Sequence, residues 1–381
     1  TGCTNGLNKI AMYWLLTLML PYLALFLYLE VVFSQAKRRK EIHSLVHERK
    51  PQLLSLVIPF KNEAAGLPAL LDDLANQVLD PALFEIIFVD DGSTDSGMDI
   101  LKSSSGRLKE AKILTTGGKG KKKAMSLGIE NARGDYIVTT DADCRVSKDW
   151  LKDIYQELNT TGADMLIGPV DIIVERGLLN HLVQLEFLAL QAVTEIFARH
   201  GKAVMCNAAN MCFSNPGQAR YETMVKTELP SGDDIFLMES FRREGRTIKW
   251  IDAPGAMVMT KAPASVSAFF RQRIRWTSKS PFYSDPLLLS LAALVFLTNI
   301  FVVTVFIASF FFTPLWLIFV LLLLIKAVPD YLLLAAIAAK RGKRQLMAFF
   351  LPAQLLYPVY VSISGIAGMI KGLFSSSAPA K

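Results

Sequence analysis

The sequence predicts an α/β fold joined to a bundle of membrane-spanning helices. Hydrophobic residues make up 52% of the 381 residues, and the mean hydropathy is +0.34, which is high for a soluble protein. This apolar excess lies near the start of the chain and in roughly its last hundred residues, whereas the middle alternates short apolar runs with helical patterns. Disordered, collagen-like and disulfide-scaffold classes are excluded, and a fully soluble protein is not expected.

Cysteine, histidine and charge usage narrow the class further. The four cysteines form no CxxC pair and indicate free thiols in a reducing compartment: Cys3, Cys144, Cys206 and Cys212. The four histidines form no zinc cluster with them, and His43 and His47, although spaced i,i+4, lie in a charged stretch. The net charge of +7 comes from lysines and arginines beside apolar segments, which favours a membrane surface over nucleic acid.

The first apolar segment, Ile10–Phe33, is long enough to cross a bilayer, which needs about 20 residues of helix. The basic cluster Lys37–Lys40 follows it directly. A signal peptide carries its positive charge before the apolar run, so the reversed order predicts a retained anchor. The basic cluster places the C-terminal end of this anchor in the cytoplasm.

Three further apolar segments lie near the other end of the chain, at about Leu287–Phe312, Leu315–Ala338 and Leu346–Ile370. The basic loop Lys340–Arg344 separates the last two, and the positive-inside rule places it on the same side as Lys37–Lys40. We therefore expect an integral protein of the inner or plasma membrane with four helices. Both termini would lie outside, and a large cytoplasmic domain would separate the first two helices.

These segments divide the chain into six predicted parts. In chain order they are an N-terminal anchor, a basic juxtamembrane linker, a catalytic domain, an amphipathic interface segment, three transmembrane helices and a tail: 1–36, 37–52, 53–262, 263–285, 286–371 and 372–381.

Two charged residues, Lys326 and Asp330, fall one helical turn apart within an apolar segment. A charge inside a membrane segment is by default a candidate functional site. The alternative, which we favour, is a mutually neutralising pair that faces the interior of the bundle.

The middle of the chain alternates strand and helix patterns. The predicted strands are Leu53–Pro59, Phe84–Val89, Ile113–Thr115 and Tyr136–Thr140, and the predicted helices include about Pro68–Gln77 and Lys121–Asn131. Continuous apolar strands separated by helices indicate a parallel sheet that is covered on both faces. Ligands bind such sheets at the carboxyl ends of the strands.

Acidic residues follow two of these strands. Asp90 and Asp91 end one strand, and Asp141 and Asp143 end another. Carboxylates crowded at one sheet edge repel one another unless a cation lies among them, and this set suits Mg²⁺ or Mn²⁺ carrying a diphosphate. The nearby segment Gly117–Lys123 lacks the P-loop spacing, but its glycines and lysines at a helix N-terminus suit an anionic ligand.

Six motifs in order resemble those of the membrane-integrated branch of family 2 glycosyltransferases, which includes cellulose, chitin and hyaluronan synthases and ceramide glucosyltransferase. They are Val57–Glu63, Val89–Asp95, Asp141–Asp143, Asn207–Asn210, Ser231–Asp234 and the QxxRW motif Gln272–Trp276. The chain departs from the family pattern with Ala208 in place of Gly, Asp233 in place of Glu and Ser126 in place of Asn. The resemblance covers about residues 53–280 and implies a GT-A fold, which is a Rossmann-like, mostly parallel sheet.

The resemblance implies roles for individual residues on the donor side. Pro59, Glu63 and Asp91 would line the nucleoside pocket, with Asp91 facing the uracil edge, and Lys121 would lie near the nucleotide. The donor is then a UDP-sugar.

The remaining roles concern the diphosphate, the metal and the acceptor. Asp141 would support the nucleotide and sugar, Asp143 would bind the Mg²⁺ or Mn²⁺, and Arg275 and Trp276 would close the site. Asp234 would be the general base that deprotonates the acceptor hydroxyl. Four further residues are implied on the acceptor side: Asn210, Asp233, Gln272 and Arg273.

Alternatives remain for several of these residues. Asp234 sits where a helix N-cap is expected, although Asp233 can serve as that cap and leave Asp234 for chemistry. Trp276 suits an interfacial anchor, because Ser265–Ser280 reads as an amphipathic helix on the inner leaflet. We read Leu178–Arg199 as an interface or core helix rather than a fifth span.

The resulting hypothesis is an inverting, metal-dependent glycosyltransferase at the cytoplasmic membrane face. Its acceptor is either a membrane lipid or short glycan, which we favour, or a growing polysaccharide handled by a processive synthase. A different class is a non-catalytic transporter or membrane scaffold with a nucleotide-binding domain, against which the intact acidic set argues. A soluble nucleotide-binding module is hard to reconcile with four spans.

Overall fold

A computed structural model describes residues 19–29, 31, 52–108, 111–226 and 232–375. The chain divides into two compact bodies. The sheet body comprises the described residues of Glu41–Ile173 and Phe197–Ala262, and the helical body comprises those of Thr1–Lys40, Val174–Ile196 and Pro263–Lys381. The predicted catalytic range 53–262 therefore includes one segment, Val174–Ile196, that packs with the helical body.

The sheet body contains a seven-stranded sheet of order β3-β2-β1-β4-β8-β6-β9 and a three-stranded sheet of order β5-β10-β7. The strands are β1 (Leu54–Phe60), β2 (Phe84–Asp90), β3 (Ala111–Thr115), β4 (Tyr136–Thr139), β5 (Arg145–Val146), β6 (Met165–Ile167), β7 (Val170–Ile172), β8 (Met211–Ser214), β9 (Ile248–Trp250) and β10 (Val258–Thr260). In the large sheet only β8 runs antiparallel to its neighbours. The mostly parallel sheet expected from the sequence is confirmed.

The first strands form because their apolar runs have no polar face. Every residue of β1, β2 and β4 is buried, as a parallel strand covered on both faces requires. Leu54 pairs with Phe84 in β2 and with Tyr136 in β4. This register brings the carboxyl ends of the three strands, and the loops that follow them, to one edge.

Helices cover this sheet at short distance. In chain order, the first eight described helices, some of which belong to the helical body, are α1 (Met19–Leu29), α2 (Leu67–Ala75), α3 (Gly97–Ser104), α4 (Lys121–Glu130), α5 (Trp150–Thr161), α6 (Leu178–Arg199), α7 (Gln218–Met224) and α8 (Asp233–Arg243). In α4, a Cβ on Gly128 would meet Val57 Cγ1 of β1 at 2.3 Å. Only glycine allows this approach, which holds the N-terminus of α4 at the sheet edge.

The helical body contains α1, most of α6, and α9 (Val266–Thr277), α10 (Pro286–Ser309), α11 (Leu315–Lys340) and α12 (Phe350–Ser375). Among the described residues, three helices are long and apolar enough to cross a membrane: Pro286–Ser309, Leu315–Lys340 and Arg344–Phe374. They coincide with the three predicted C-terminal segments. The shorter apolar helix α1 lies in the predicted anchor; apart from residue 31, the rest of the anchor and the basic cluster lie outside the described residues.

Small residues and aromatic rings hold these helices together. A Cβ on Gly365 of α12 would meet Phe296 of α10 at 2.3 Å, so glycine permits close helix contact. Tyr22 of α1 is buried with Val305 and Leu322 of α10 and α11. The predicted pair is also inside this body, where Lys326 Nζ and Asp330 Oδ2 lie 2.7 Å apart, the geometry of a neutralising pair.

Candidate active site

A pocket lies in the sheet body at the edge where β1 and β4 end. The structure brings five of the predicted site residues to its wall: Pro59, Lys121, Asp141, Asp233 and Asp234. Thr140, which the sequence analysis did not single out, also lines it, and its Oγ1 is buried without a hydrogen-bond partner among the described residues. An unpaired buried hydroxyl at a pocket wall is available to a bound ligand.

An acidic turn follows β4 at the pocket. Oxygen atoms of Asp141 and Asp143 and the sulfur of Cys144 all lie within 4.8 Å of one another. Burial and the charge of Asp141 raise the pKa of Asp143. Burial, Asp143 and Asp141 likewise raise the pKa of Glu63. The three carboxylates therefore repel one another, which is the arrangement expected of a cation site.

The donor set fits Mg²⁺ or Mn²⁺. Both metals take carboxylate oxygens, and Asp141 and Asp143 offer two of them beside Glu63. Burial, followed by the charges of Asp141 and Asp143, raises the pKa of Cys144 far above its ordinary value, so its thiol stays protonated. Mg²⁺ and Mn²⁺ prefer hard oxygen ligands to a thiol, so the carboxylates define this site.

A glycine turn delivers Glu63 to this cluster. The Gly66 amide donates to the Glu63 carbonyl at 3.0 Å, which closes the turn before α2. A Cβ on Gly66 would lie 2.9 Å from Asp143 Cα. Any other residue would push the two loops apart, so Gly66 sets the separation of Glu63 from the acidic turn.

Lys121 provides the cation nearest to these carboxylates. Its Nζ lies 2.5 Å from Asp141 Oδ1. Desolvation lowers the pKa of Lys121, but Asp141, with smaller contributions from Asp233 and Asp234, outweighs it and raises the pKa above its ordinary value. Lys121 is therefore a permanent positive charge at the first turn of α4, suited to an anionic ligand.

Asp91 holds the glycine-rich loop that precedes α4. Its Oδ1 accepts hydrogen bonds from the Gly120 amide at 2.7 Å and from the Thr116 hydroxyl at 2.8 Å. Gly92 has a φ of +78°, and a Cβ there would lie 2.9 Å from Gly118 Cα. The predicted contact of Asp91 with a nucleobase stays a prediction; the structure gives it this loop as a partner.

The loops after β1 and β2 are joined side by side. Asn62, at a φ of +56°, accepts from the Thr94 amide at 2.8 Å and donates its own amide to Ser93 Oγ at 3.0 Å. Asp95 accepts from the Ala64 amide at 2.8 Å. Hydrogen bonds thus hold two of the sequence motifs against each other at the strand ends. Their separate positions in the sequence do not reveal this contact.

Asp234 also lines the pocket, at the start of α8. Its carboxylate accepts from the backbone amides of Ile235 and Ala208. Burial, together with the charge of Asp233, raises the pKa of Asp234 in spite of these hydrogen bonds. A carboxylate with a raised pKa takes a proton more readily, which suits a general base.

The expectation that Asp233 caps α8 is wrong. The N-cap is Gly232, at a φ of 93°, and it has no side-chain cap; Asp233 is the first helical residue. Asp233 instead faces Lys122, with Nζ 3.5 Å from its Oδ1. The left-handed Gly232 turns the chain into the helix, so no side-chain acceptor takes the cap position.

Lys122 is a residue of this site that the sequence analysis missed. Its Nζ donates to the carbonyls of Val225 and Lys226, both at 2.7 Å, and its side chain is buried. It therefore joins α4 to the end of α7 and, through Asp233, to the start of α8. A run of lysines usually signals a solvated surface, so only burial distinguishes Lys122 from its neighbours.

Asn210 is fully buried beside the pocket rather than on its wall. Its amide donates to the carbonyls of Pro169 and Ala256, both at 2.7 Å, and its Oδ1 accepts from Trp150 Nε1 at 3.1 Å. These bonds fix the Asn207–Asn210 segment, whose Ala208 amide reaches Asp234. Its predicted acceptor-side role stays a prediction.

The QxxRW motif belongs to the helical body, on α9. Arg273 forms a bidentate ion pair with Glu186 of α6, at 2.9 and 2.5 Å, and its guanidinium stacks on Trp276 at 4.2 Å. Gln272 accepts from Arg273 at 2.6 Å, whereas Arg275 is exposed. The roles predicted for these four residues toward diphosphate and acceptor stay predictions.

Comparison with known proteins agrees with this arrangement. Residues 55–217 match the family model described as "Glycosyl transferase family 2". A cholesterol galactosyltransferase of Borreliella burgdorferi is 29% identical over 125 residues, 33% of this chain and 34% of that protein. An undecaprenyl-phosphate 4-deoxy-4-formamido-L-arabinose transferase of Pseudomonas aeruginosa is 38% identical over 94 residues, 24% of this chain and 28% of that protein.

The chain spans about a third of the length of the curated relatives it matches. Among solved structures, a mannosyltransferase of Pyrobaculum calidifontis in complex with GDP-Man and Mn²⁺ has the same fold, with a TM-score of 0.55 and 17% identity. That likeness covers 95% of this chain and all of the mannosyltransferase chain. Residues 55–217 therefore form a domain that matches family 2 glycosyltransferases, the sheet body has a GT-A fold, and apolar helices long enough to span a membrane follow it.

Proposed function

We propose that this protein is an inverting, metal-dependent glycosyltransferase. It moves a sugar from a UDP-sugar to a membrane lipid or short glycan at the cytoplasmic face of the inner or plasma membrane. The observation that carries the proposal is the shared pocket wall formed by Asp141, Lys121 and Asp234. The acidic turn that contains Asp141 brings crowded carboxylates to the pocket, Lys121 supplies a cation, and Asp234 supplies a carboxylate with a raised pKa.

The donor side follows from the acidic turn. Pro59, Glu63 and Asp91 line the nucleoside pocket in this proposal, and Lys121 neutralises diphosphate charge. Asp143, with Asp141, would hold the Mg²⁺ or Mn²⁺. When bound, the metal supplies positive charge that stabilises the leaving diphosphate. Arg275 and Trp276 act on the same leaving group if they close the site, as the resemblance implies.

The acceptor side follows from Asp234. Its carboxylate takes the proton of the acceptor hydroxyl, and the hydroxyl oxygen bonds to the anomeric carbon from the face opposite the diphosphate. The bond between that carbon and the diphosphate oxygen breaks, and UDP leaves with its electron pair. The configuration at the anomeric carbon is thereby inverted. Asp233, Asn210, Gln272 and Arg273 are assigned to acceptor binding or to positioning its segments.

A lipid acceptor is supported by two of the relatives. One is a cholesterol galactosyltransferase and the other an undecaprenyl-phosphate sugar transferase, and both names specify a lipid. A processive polysaccharide synthase is the second candidate, favoured by the QxxRW motif on α9. A non-catalytic transporter or scaffold does not need a carboxylate that is placed to act as a general base. The position of Asp234 in the pocket therefore argues against that class.

The test uses membranes that contain the full chain, labelled UDP-sugars and Mn²⁺. Products are partitioned between organic and aqueous phases. Label in the organic phase identifies a glycolipid, whereas label in a high-mass aqueous polymer identifies a synthase. Asp234→Asn should reduce either product by about 10²- to 10⁴-fold, the usual contribution of a general base.

The matched control is Asp72→Asn, which removes an exposed carboxylate of the same body that pairs with Arg107. It should leave transfer unchanged. Equal product from wild type and Asp234→Asn would overturn the base assignment. No product and no UDP release across a panel of UDP-sugars and GDP-sugars, from protein that binds UDP, would favour the non-catalytic class.

A further inference from the structure

The helical body encloses a cavity of about 590 Å³ that the proposed transfer reaction does not use. Ligand pockets in proteins occupy about 300–1,000 Å³, so one lipid chain or a comparable molecule fits this volume. Its wall comes from α1, α6, α9, α11 and α12 and is mostly apolar, including Leu182, Phe269, Leu334, Phe350, Ala353 and Val359. An apolar cavity among membrane helices suits hydrocarbon rather than a sugar.

A polar cluster around Asp330 interrupts this wall. Asp330 accepts a hydrogen bond from the Tyr22 hydroxyl at 2.6 Å through Oδ1. Its Oδ2 receives Lys326 Nζ at 2.7 Å and Gln354 Nε2 at 2.8 Å. Asp330, Tyr22 and Gln354 reach the cavity, whereas Lys326 lies behind them and is fully buried.

A second acidic residue at the wall, Glu186, is also neutralised from behind. Arg273 contacts both of its carboxylate oxygens, at 2.9 and 2.5 Å. The Tyr360 hydroxyl forms a further hydrogen bond to Glu186. Arg273 itself is 5% exposed and is sandwiched between Phe269 and Trp276, at 4.6 and 4.2 Å from their rings.

The charged residues on the wall are therefore acidic, and each is balanced by a cation that is set behind it. Among the described lining residues there is no lysine or arginine to receive an anionic headgroup. A lipid phosphate would meet two carboxylates and lose its hydration, which is strongly unfavourable. A hydroxyl, in contrast, can donate to Asp330 Oδ1, which holds one hydrogen bond from Tyr22 and has room for a second.

We propose that this cavity binds a neutral, hydroxyl-bearing membrane lipid, with its hydrocarbon along the apolar wall and its hydroxyl at Asp330. The inference goes beyond the proposed function, because binding at this cavity requires neither a sugar donor nor catalysis. It assigns Lys326 and Asp330 a task in addition to neutralising each other: the lysine contacts Oδ2 and leaves Oδ1 to accept hydrogen bonds at the wall.

The test uses the full chain in phosphatidylcholine nanodiscs and two matched probes. One is a diacylglycerol with a photoactivatable acyl chain, and the other is the phosphatidic acid with the same chains. The two differ only by the phosphate on the hydroxyl. After irradiation, labelled residues are mapped by mass spectrometry. We expect the diacylglycerol to label cavity residues such as Leu182 and Phe350 about tenfold more than the phosphatidic acid does.

Two substitutions fill the cavity without changing charge. Leu334→Trp should reduce this labelling by about tenfold, whereas Leu324→Trp, the same change at an exposed position of α11, should leave it unchanged. Ala353→Phe on α12, with the exposed Leu355→Phe as its control, repeats the test if Leu334→Trp does not fold. Equal labelling by both probes, or labelling that survives both cavity substitutions, would overturn the proposal.

The outcome is independent of catalysis. UDP release from UDP-sugars is measured in the same nanodiscs. Cavity labelling without UDP release leaves this inference standing and counts against the proposed function. UDP release with labelling confined to the outer, lipid-facing residues of α10–α12 supports the function and overturns the inference.

Discussion

Carboxylates at the pocket of the sheet body crowd one another, whereas three carboxylates in the helical body are each held by a cation. Glu63, Asp143 and Asp234 all have raised pKa values, caused mainly by burial and by neighbouring acidic residues. In the helical body Asp330 pairs with Lys326, and Glu186 pairs with Arg273. A third carboxylate there, Glu195, contacts both Lys340 and Arg341.

The difference reflects the source of the counter-charge that each body has available. A charge in hydrocarbon has no water and no dissolved ion at hand, so the protein must supply the counter-charge itself. A charge at an open pocket can be left for a ligand to neutralise, and the free energy of that neutralisation becomes binding energy. Unbalanced charge therefore points to a ligand site in the sheet body, and balanced charge points to structure in the helical body.

The largest effect is expected when the charge of one of the crowded carboxylates is removed. Asp143→Asn should lower sugar transfer by on the order of 10²- to 10³-fold, because the metal contributes several kcal/mol to stabilisation of the leaving charge. The same change should raise the melting temperature of the metal-free protein, because it removes repulsion with Asp141 and Glu63. Activity assays and thermal melts, with Asp72→Asn as control, measure both.

The pH dependence of the metal-free protein has a definite sign. A carboxyl whose pKa is raised on folding stabilises the folded state when protonated. The contribution of Glu63, Asp143 and Asp234 is therefore complete below the ordinary carboxyl pKa of about 4 and is lost as pH rises through their raised values. A melting temperature that did not fall over this range in wild type, relative to Asp143→Asn, would contradict the crowding.

Removing one partner of a balanced pair in the helical body should lower stability, whereas Asp143→Asn should raise it. Arg273→Met leaves Glu186 as a buried, uncompensated charge and should lower stability by about 3–5 kcal/mol. Adding Glu186→Met should recover most of this loss, since an apolar pair of similar volume replaces the ion pair. Arg271→Met, at an exposed position of α9, is the control. Denaturation in detergent measures all three, and no recovery in the double variant would contradict the interpretation.

A smaller effect is expected at Lys122, a buried cation of the sheet body that faces the carboxylate of Asp233. Lys122→Met removes its bonds to Val225 and Lys226 and should lower kcat by on the order of 10- to 100-fold through misplacement of Asp234. Lys122→Arg should restore part of the rate. The KM for the donor should change little.

The control for Lys122 is its exposed neighbour Lys123, which pairs with Glu222 at the surface. Lys123→Met should leave kcat unchanged. An equal loss in both variants would mean that the positive charge of the lysine run matters, and not the position of Lys122.

The smallest effect is expected at an exposed pair of the sheet body. Arg107 and Asp72 lie 2.8 Å apart, but both side chains are more than half exposed. Water already neutralises such charges, so Arg107→Ala should change stability by less than about 1 kcal/mol. A loss comparable with that of Arg273→Met would show that pairing, rather than burial, controls the contrast between the bodies.

Much of the fold was predictable because its signals are local. The runs that became β1, β2 and β4 contain no polar face, and the predicted ends differ from the observed ones by one residue. The three C-terminal helices follow from apolar length alone. The cap of α8 was predicted wrongly, because a capping aspartate and a left-handed glycine give the same start signal, and only the backbone of Gly232 distinguishes them.

Parts of the site were not predictable in this way. Lys122 and Lys123 are adjacent and chemically identical, yet one is buried and faces Asp233 whereas the other is exposed. Asn210 carries a motif that suggests ligand binding, but its three hydrogen bonds to buried partners depend on segments about 40–60 residues away. Such contacts depend on long-range packing, which the local sequence pattern does not indicate.

The sequence by itself determined the strand-end position of the acidic residues, the family resemblance and the apolar helices. It did so because strand periodicity, residue type and segment length are properties of short stretches. Only the tertiary structure decided which charges are balanced, since Glu186 and Arg273, or Glu195 and Lys340, are distant in the chain and meet through packing alone. Charge balance depends on neighbours in space, and so does the cavity of the helical body.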